Sequence, residues 1–364
     1  MIYIFTQNYP SEEKRYAMTY VHSRNLIYLK HKLKFKVVSM EAKSNYTFEE
    51  VDVITKRSFE SLIDMKKISS DDVIICHAPN LRNHLKLVNL IYKSVKKIIF
   101  IFHGHEVLRI NEYYPPNYKF KRTNIFKKLL IETYDFLKLK VMRNFLHKLN
   151  KFNKIEVVFV SKWMLENAEK SLKMNFKNFK THIINNNANF HVISKNYSKE
   201  KSLADFITVR PLDDSKYAID QVVSFAYKNP NYTFHIYGKG DYFIHNSKPS
   251  NMNIINEFIH PKDFPNLLNQ YKYALMPTRL DAQGVMMCEM AVYGIPTITS
   301  DLEVCKEMLG NFKNVYLASQ SFFENKVNEE ILQEISNQKS DKRKFDIDNT
   351  VQREIKILLE IKEA

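Results

Sequence analysis

The chain has 364 residues, a net charge of +15 and 45% hydrophobic residues, among them 25 Phe and 21 Tyr. This length exceeds one domain of ordinary size, so we expect a globular protein of two domains. No stretch of eighteen apolar residues is present, which excludes a membrane-spanning helix, and the first residues enter a predicted strand, so we expect no signal peptide. Cys76, Cys288 and Cys305 have no metal-ligand spacing and indicate buried thiols in a reducing compartment.

The positive charge lies in the first half of the chain. Residues 1–200 contain 36 Lys and Arg against 18 Asp and Glu, whereas residues 201–364 contain 19 against 22. Such an asymmetry indicates that one half meets an acidic partner, and nucleic acid, anionic lipid and phosphorylated substrates all qualify. An AT-rich genome also produces a lysine excess without any acidic partner.

Strands alternate with helices in the first half. Strands are predicted at residues 1–6, 36–40, 51–54, 72–76, 97–102, 156–161 and 180–184. Continuous apolar runs such as DVIIC and KIIFIF are typical of parallel strands covered on both faces, and the alternation predicts a doubly wound α/β domain. The first strand is not followed by G-x-G-x-x-G, so we expect no dinucleotide site of the usual kind there.

His103-Gly104-His105-Glu106 follows the strand 97–102. Ligands of open α/β sheets bind at the carboxyl ends of strands, which makes this a candidate site. Two histidines and a glutamate are metal-ligand types, but no further ligand accompanies them at a suitable spacing. The structural alternative for His103 is a cap of the next helix.

Residues 118–154 form a basic segment with eleven Lys and Arg and two acidic residues. Apolar residues recur between them at helical spacing, which predicts a basic amphipathic helix or a pair of helices. This pattern is typical of a helix that lies on an anionic membrane surface. An ordinary surface helix with a solvated lysine face is the alternative.

The second half repeats the strand and helix alternation after a polar segment, 195–204, which we expect to be a linker. Strands are predicted at 205–209, 232–237 and 252–258, followed by a helix at 261–272. Ser300 and Glu303 have the spacing of a capping box for a helix at 302–309. The last predicted helix covers 349–361.

Residues 275–301, LMPTRLDAQGVMMCEMAVYGIPTITSD, read as a strand end, a polar loop, a helix stopped by Gly294 and a buried strand. A helix N-terminus exposes unpaired amides and a positive dipole end, so Gly284-Val285 is a candidate anion site. Gly284 also allows a ligand to approach the backbone closely. Asp281 and Glu289 lie on either side of this point, with seven residues between them.

This pattern resembles the acidic motif, Glu followed after seven residues by Glu, of retaining glycosyltransferases of the GT-B fold, specifically family 4 (glycosyl transferases group 1). In that family a sequence like P-S/T, acidic residue, G-F-G, E-A-M-A, G-x-P-V-I carries the sugar-nucleotide site. Here Asp281 replaces the first Glu, Ala282-Gln283 replace Gly-Phe, and Glu289-Met290-Ala291 stands for Glu-Ala-Met-Ala.

The resemblance implies an α/β fold of the GT-B type, with two Rossmann-like doubly wound domains facing a cleft. Residues 1–195 would be the N-terminal acceptor-binding domain, and residues 205–348 the C-terminal nucleotide-sugar-binding domain. The C-terminal helix, 349–364, is expected to pack back on the first domain, as in many GT-B proteins.

The resemblance also assigns residues to the nucleotide. Arg210 and Lys216 would reach the diphosphate, although Tyr217 replaces the glycine that usually follows the Lys. Backbone amides near Gly284 and Val285 would complete the diphosphate site. Together these groups would replace the metal that other transferase folds use, so neither a metal nor another cofactor is expected.

Further roles follow from the same resemblance. The loop with Gly238 and Gly240 would lie under the nucleotide. Glu289 would accept hydrogen bonds from the ribose hydroxyls, Asp281 would contact the sugar ring, and His103 would face the donor. His103, Asp281 and Glu289 are therefore the predicted catalytic residues.

The expected function is transfer of a sugar, with retention of anomeric configuration, from a nucleotide sugar that is most consistent with UDP. The acceptor would be a glycan or a lipid-linked molecule in bacterial surface polysaccharide or glycoconjugate synthesis. The expected location is the cytoplasm, with residues 118–154 docked peripherally on the inner face of an anionic membrane.

Two other interpretations compete with a transferase. A basic first half with many aromatic residues is compatible with a non-catalytic protein that binds membrane or nucleic acid. Nucleic acid is disfavoured because the sequence contains no recognised nucleic-acid motif. Another GT-B enzyme, such as a sugar-nucleotide epimerase or an inverting transferase, is the second alternative.

Overall fold

The computed structural model describes residues 1–15, 17–121, 124–257, 259–336 and 338–363. The chain divides into two compact units. The first unit consists of Met1–Ile110, Leu130–Asn187 and Ile347–Ala364, and the second of Asn111–Leu129 and Ala188–Asp346. None of the described helices is long and apolar enough to cross a membrane.

The helices connect strands in both units. In chain order the α-helices are α1 (Thr19–Lys30), α2 (Lys56–Asp64), α3 (His84–Ile91), α4 (Ile110–Tyr113), α5 (Ile125–Lys151), α6 (Lys162–Leu172), α7 (Phe190–Ile193), α8 (Ile219–Lys228), α9 (Tyr242–His245), α10 (Phe264–Leu268), α11 (Val285–Tyr293), α12 (Glu303–Leu309), α13 (Glu329–Ser336) and α14 (Val351–Glu363). Short 3-10 turns lie at Lys119–Lys121, Ser215–Tyr217, Gln320–Glu324 and Arg343–Phe345.

The first unit is built on one sheet. Its strands are β1 (Ile2–Thr6), β2 (Phe35–Ser39), β3 (Tyr46–Phe48), β4 (Val51–Thr55), β5 (Val73–His77), β6 (Lys97–Phe102), β7 (Ile155–Phe159) and β8 (Lys180–Ile183). They lie in the order β3-β4-β2-β1-β5-β6-β7-β8, and the described pairs are parallel except for β3 with β4. The central strands are buried apolar runs because helices cover both faces.

The second unit has a parallel sheet of its own. Its strands are β9 (Ala204–Val209), β10 (Phe234–Tyr237), β11 (Met252–Ile255), β12 (Tyr271–Met276), β13 (Thr297–Ser300) and β14 (Val315–Ala318). Their order is β11-β10-β9-β12-β13-β14, which is the Rossmann order. The direction in which strands are added reverses between β9 and β12, and ligands of such sheets bind beside that reversal, at the carboxyl ends.

Aromatic side chains fill the core of the second unit. Phe206 on β9 stacks on Phe234 on β10, with ring centroids 4.9 Å apart, and both side chains are buried. Tyr118 and Phe120 pack against the same core from residues 111–129. Both rings are partly buried, so each contributes less than the about 1.5–3 kcal/mol of a fully buried ring, and together they attach this segment to the second unit.

The α/β prediction with two doubly wound domains is confirmed, but the contacts divide the chain differently from the predicted domain bounds. Residues 111–129 fall within the predicted first domain, 1–195, and the structure places them in the second unit. The predicted linker, 195–204, also lies within the second unit, where the Tyr197 N–H donates to the Tyr293 carbonyl at 2.9 Å. Helix α14 packs against α1 of the first unit, where Arg24 and Glu354 pair.

Several local predictions are corrected. The helix predicted at 261–272 is shorter, because α10 ends at Leu268 and β12 begins at Tyr271. The capping box is absent from the described helix α12: its N-cap is Leu302, and the Ser300 hydroxyl instead accepts the Thr278 N–H at 2.9 Å. The basic segment contains a single long helix, α5. Residues 122 and 123 of the basic segment lie outside the described residues. Residue 258, the last residue of the predicted strand 252–258, also lies outside them.

Candidate functional site

The residues assigned to the nucleotide lie at one edge of the second sheet. Arg210 follows β9, Gly238 and Gly240 follow β10, and the loop with Asp281 follows β12. Since all three strands are parallel, these positions share the carboxyl edge. Strands β9 and β12 flank the reversal of strand order, so the topology itself selects this edge as the ligand site.

Arg210 is a buried cation with unsatisfied donors. Its side chain is 5% exposed, and its Nε and Nη2 atoms have no hydrogen-bond partner among the described residues. Its Cζ atom lies 5.2 Å from the centre of the Tyr217 ring. A buried charge is costly unless it is paired, and a guanidinium binds planar oxyanions through two parallel N–H bonds. Arg210 therefore has the chemistry of an anion ligand.

Lys216 also lies beside the Tyr217 ring. Its Nζ atom is 4.8 Å from the centre of the Tyr217 ring and 3.4 Å from the Asp214 carboxylate. Burial lowers the pKa of Lys216, but Tyr217, Asp214 and Asp281 outweigh burial and raise the pKa above its ordinary value. The ammonium group is therefore charged at neutral pH, and two cations converge on Tyr217.

Gly238 and Gly240 are required by packing within the unit. A Cβ atom on Gly238 would lie 1.9 Å from the Arg210 carbonyl oxygen, which is backbone and cannot move away cheaply. Gly240 has φ +141, and a Cβ there would lie 2.6 Å from the Asp213 carboxyl carbon. The glycines thus let the β10 loop approach the β9 loop closely. Their contact with a nucleotide stays a prediction.

Gly284 opens the N-terminus of α11. It has φ 72 and ψ 60, the left-handed region, and its position as N-cap provides no side-chain acceptor. The first amides of α11, beginning at Val285, therefore point out of the helix with its positive dipole end. Such a terminus favours a phosphate oxygen.

Asp281 shapes the loop before α11. Its Oδ1 atom accepts the backbone N–H of Ala282 at 2.8 Å and that of Gln283 at 3.3 Å. One carboxylate oxygen is therefore engaged in the turn. Its effect on the pKa of Lys216 shows that the two loops are electrostatically coupled.

Glu289 is half-buried on α11, and its Oε1 atom accepts the Asn189 N–H at 2.9 Å. Burial raises the pKa of Glu289 to about 7, although the Asn189 bond acts in the opposite direction. Asn189 also caps α7 through its bond from His191 N–H. The carboxyl group is thus poised between its two protonation states at neutral pH.

The sequence reasoning missed three residues of this edge. Arg279 forms a bidentate pair with Asp220, with distances of 2.8 and 2.6 Å. The Tyr118 hydroxyl donates to Asp220 at 3.2 Å from a segment predicted to belong to the other domain. The one available signal was the position of Arg279, two residues before Asp281 in the motif.

His103 lies in the first unit, at the carboxyl end of β6. Its Nε2 atom is 3.2 Å from Nδ1 of His77, and its ring centroid is 4.7 Å from that of Tyr20. Burial, Arg24 and His105 hold the pKa of His103 well below its ordinary value. His103 is therefore neutral at pH 7, and it is a hydrogen-bonding group instead of a cation.

Glu106 has a structural role in this loop. It accepts the backbone N–H of His103 and that of Gly104, the latter at 3.0 Å. No group of three or more His, Cys, Asp or Glu residues that could hold a metal occurs in the part of the chain that the structure describes. The loop therefore positions His103.

Comparison with known families gives one match, which covers slightly less than half of the chain. Residues 174–346 match the family described as Glycosyl transferases group 1. No curated protein sequence matches the chain significantly.

Solved structures match over nearly the whole chain. A variant of TarM from S. aureus, in complex with Fondaparinux, alpha-GlcNAc-glycerol and UDP, has a TM-score of 0.66 and 10% identity, covering 100% of this chain and 99% of its own. Sucrose-phosphate synthase from Thermosynechococcus elongatus has a TM-score of 0.67 and 9% identity, and the match covers 99% of this chain and 98% of its own. An alpha,alpha-trehalose-phosphate synthase (UDP-forming) from Burkholderia vietnamiensis has a TM-score of 0.62 and 9% identity, and the match covers 100% of this chain and 99% of its own.

The chain thus has the GT-B fold, which it shares with solved glycosyltransferase structures. Residues 174–346 belong to the glycosyl transferases group 1 family. The recognition made from the motif around Asp281 and Glu289 is confirmed at this level.

Proposed function

We propose that the chain is a retaining family 4 glycosyltransferase that moves a sugar from a UDP-sugar to a glycan or lipid-linked acceptor. The acceptor class and a role in bacterial surface polysaccharide or glycoconjugate synthesis rest on the resemblance. The observation that carries the proposal is the buried Arg210 beside the reversal of strand order, whose Nε and Nη2 atoms have no hydrogen-bond partner in the part of the chain that the structure describes. It lies in the segment that matches the family.

The proposed donor site uses charge to stabilise the leaving diphosphate. Arg210, Lys216 and the amides at the N-terminus of α11, next to Gly284 and Val285, supply positive potential where negative charge develops. This set of groups serves the role that a metal has in other transferase folds. The proposed reaction is therefore independent of added metal.

The proposed contacts with the sugar nucleotide complete this assignment. Glu289 accepts hydrogen bonds from the ribose hydroxyls, and Asp281 contacts hydroxyls of the transferred sugar. Asp281 is shorter than the family's Glu, and one of its oxygens is engaged by the loop, so its reach is limited to a sugar that lies close to the turn.

Retention is proposed to follow front-face attack, in which the acceptor oxygen approaches from the side that the diphosphate leaves. The leaving phosphate then takes the acceptor proton, so no protein nucleophile is needed. A neutral His103 suits this scheme, because it can hydrogen-bond to a sugar hydroxyl without adding a second charge.

The test of the function is the melting temperature with UDP, GDP, ADP and CMP, each with and without EDTA. A ligand that binds only the folded protein raises the melting temperature. At a free ligand concentration of a hundred times the dissociation constant, the folded protein is stabilised by about 2.7 kcal/mol. We expect a rise with UDP that exceeds the others and is unaffected by EDTA. UDP is preferred because TarM was solved with UDP and the trehalose-phosphate synthase is UDP-forming.

Three outcomes would each point to a different function or mechanism. No shift with any nucleotide, together with binding to DNA or RNA that weakens steeply with salt, would establish the non-catalytic nucleic-acid interpretation. Conversion of the UDP-sugar into its epimer, without any acceptor and without hydrolysis to UDP and free sugar, would establish an epimerase. Sugar transfer with inverted configuration would contradict retention only.

We also propose that α5 docks on an anionic membrane, at the cytoplasmic face where a nucleotide sugar is available. Large apolar side chains project from the first half of this helix: Phe126 is 74% exposed, Leu130 69% and Leu137 53%. Exposed basic residues, including Lys127 and Lys128, accompany them. Apolar groups that enter the lipid boundary and lysines that meet anionic headgroups fit one partner, a bilayer with negative surface charge.

The membrane proposal predicts cosedimentation with vesicles of anionic lipid and little with neutral lipid. The double variant Phe126→Ser and Leu130→Ser should lower binding at least about tenfold, because each apolar side chain contributes about 1.5–3 kcal/mol when buried. Ile244, which is 76% exposed on α9, provides the matched control Ile244→Ser. Equal binding by the double variant and the parent would refute docking through α5.

A further inference from the structure

The turn that carries Lys216 is held by groups from the end of β12. Lys216 lies on the 3-10 turn Ser215–Tyr217. Its carbonyl oxygen accepts the Arg279 N–H at 2.7 Å and the Thr278 hydroxyl at 3.1 Å. These bonds join the loop after β9 to the loop after β12, across the reversal of strand order.

The Arg279 guanidinium strengthens this junction. Its Nη1 atom donates to the Ser215 carbonyl oxygen at 3.0 Å, and both terminal nitrogens donate to the Asp220 carboxylate. Bidentate charged pairs fix orientation as well as distance. Arg279 therefore holds the backbone of two consecutive residues of the turn, Ser215 and Lys216, at the same time.

Tyr118 extends the network into α8. Its hydroxyl donates to Asp220 at 3.2 Å and accepts the Ile219 N–H at 3.0 Å. Helix α8 begins after Ala218, which has φ 51 and no side-chain cap. The Tyr118 ring packs against Tyr242 with centroids 4.9 Å apart. Tyr118 thus closes the helix terminus and orients Asp220.

This closure matters for how an anion is bound. In Rossmann-type sheets, the helix after the first strand often presents its N-terminus to a phosphate. Here the Tyr118 hydroxyl takes the first amide of that helix, α8. Since the first amide of α8 is engaged, binding of a diphosphate beside β9 depends more on Arg210, Lys216 and the amides of α11, and the placement of Lys216 matters correspondingly.

We propose that Arg279, held by Asp220 and Tyr118, is a positioning residue that fixes Lys216 for the diphosphate of the donor. The network runs from Tyr118 to Asp220, from Asp220 to Arg279, and from Arg279 to the backbone of the Lys216 turn. This inference rests on the proposed function, because it requires that Lys216 contacts the diphosphate.

The test is a double-mutant cycle with UDP as the titrant in calorimetry. The dissociation constant is measured for the wild type, Lys216→Ala, Arg279→Gln and the double variant. We expect each single substitution to weaken UDP binding at least about tenfold. If Arg279 acts through Lys216, the double variant should bind UDP within about threefold of Lys216→Ala, because groups that act as one unit are not additive.

Two further variants separate positioning from folding. Tyr118→Phe keeps the ring and removes only the hydroxyl. We expect it to weaken UDP binding about two- to fivefold when Lys216 is present, and to have no effect when it is added to the Lys216→Ala variant. Arg343 forms a comparable bidentate pair with Asp341 on the surface, so Arg343→Gln is the matched control and should bind UDP as the wild type does.

The outcomes distinguish this inference from the function beneath it. If Lys216→Ala and Arg279→Gln multiply each other's effect on the UDP dissociation constant, Arg279 does not act through Lys216. That result would overturn the positioning role of Arg279 and leave the proposed donor site intact. An unchanged dissociation constant in both Arg279→Gln and Tyr118→Phe would do the same. If Lys216→Ala binds UDP as tightly as the wild type, or if the wild type does not bind UDP, Lys216 does not have its proposed role. The positioning role of Arg279 would then be refuted as well.

Discussion

Replacing Glu289 with Ala should abolish detectable UDP binding, with a loss of at least about a hundredfold in affinity. Two hydrogen bonds from ribose hydroxyls to a carboxylate contribute about 1.5–3 kcal/mol each, and 1.4 kcal/mol corresponds to tenfold. Calorimetric titration with UDP measures the effect. His103→Ala is the contrasting variant: it should keep UDP affinity and lower turnover, since His103 is assigned to the sugar and not to the nucleotide.

Glu289→Gln isolates the charge. Glutamine keeps an oxygen for the Asn189 N–H but cannot form the carboxylate that accepts both hydroxyls. Because the pKa of Glu289 is raised to about 7, wild-type UDP affinity should increase as the pH rises from 6 to 8. The phosphate of UDP also titrates in this range. The part of the pH-dependent increase in UDP affinity that is lost in Glu289→Gln is therefore the part that Glu289 contributes.

The same substitution has an opposite effect on stability. A carboxyl whose pKa is raised on folding, from about 4.3 in an unfolded chain, destabilises the folded protein as the pH rises towards 7. Glu289→Gln should therefore increase the free energy of unfolding at pH 8 by about 2 kcal/mol, allowing for partial solvent exposure, and should change it little below pH 4.

Equal UDP affinity in Glu289→Ala and the parent would refute the assignment of Glu289.

Arg210→Met should weaken UDP binding at least about a hundredfold and stabilise the ligand-free protein. Arg210 is 5% exposed, and its Nε and Nη2 atoms have no hydrogen-bond partner among the described residues, so folding removes its charge from water and the Tyr217 ring offsets only part of that cost. Methionine has a similar length and no charge. Replacing buried charges with apolar side chains is often neutral or stabilising by about 1–4 kcal/mol. Urea unfolding and UDP titration measure the two effects.

Arg24 provides the matched control for Arg210. It is fully buried in the first unit, but its Nε atom donates to Glu354 at 2.9 Å, and it also bonds to Asn186. Arg24→Met would leave the Glu354 carboxylate buried without its cation and should destabilise the protein by about 3–5 kcal/mol. A destabilised Arg210→Met that retains UDP affinity would show that Arg210 is structural.

The common location of several candidate site residues could be predicted, because these residues lie close together in sequence, whereas their contacts with a nucleotide stay a prediction. Strand β6 has the predicted bounds, Lys97–Phe102, since an apolar run covered on both faces leaves an unambiguous pattern. Asp281, Gly284 and Glu289 fall within one loop and one helix, and a local motif carries their spacing. Parallel strands then place Arg210 on the same edge.

The remainder depends on contacts that leave no periodic pattern. Arg279 and Asp220 are 59 residues apart, and Tyr118 and Asp220 are 102 apart, so neither pair could be recognised from spacing. Ser300 shows how a tertiary partner overrides a local rule. Its hydroxyl accepts the Thr278 N–H, 22 residues away, and does not cap the helix that its spacing predicts.

The division of the chain has a consequence for synthesis. The described chain passes from one unit to the other after residues 110, 129, 187 and 346, so no single cut yields either unit whole. During synthesis, Arg24 is made 330 residues before its partner Glu354. The first unit therefore cannot form this buried ion pair until the whole of the second unit, which ends at Asp346, has been synthesised.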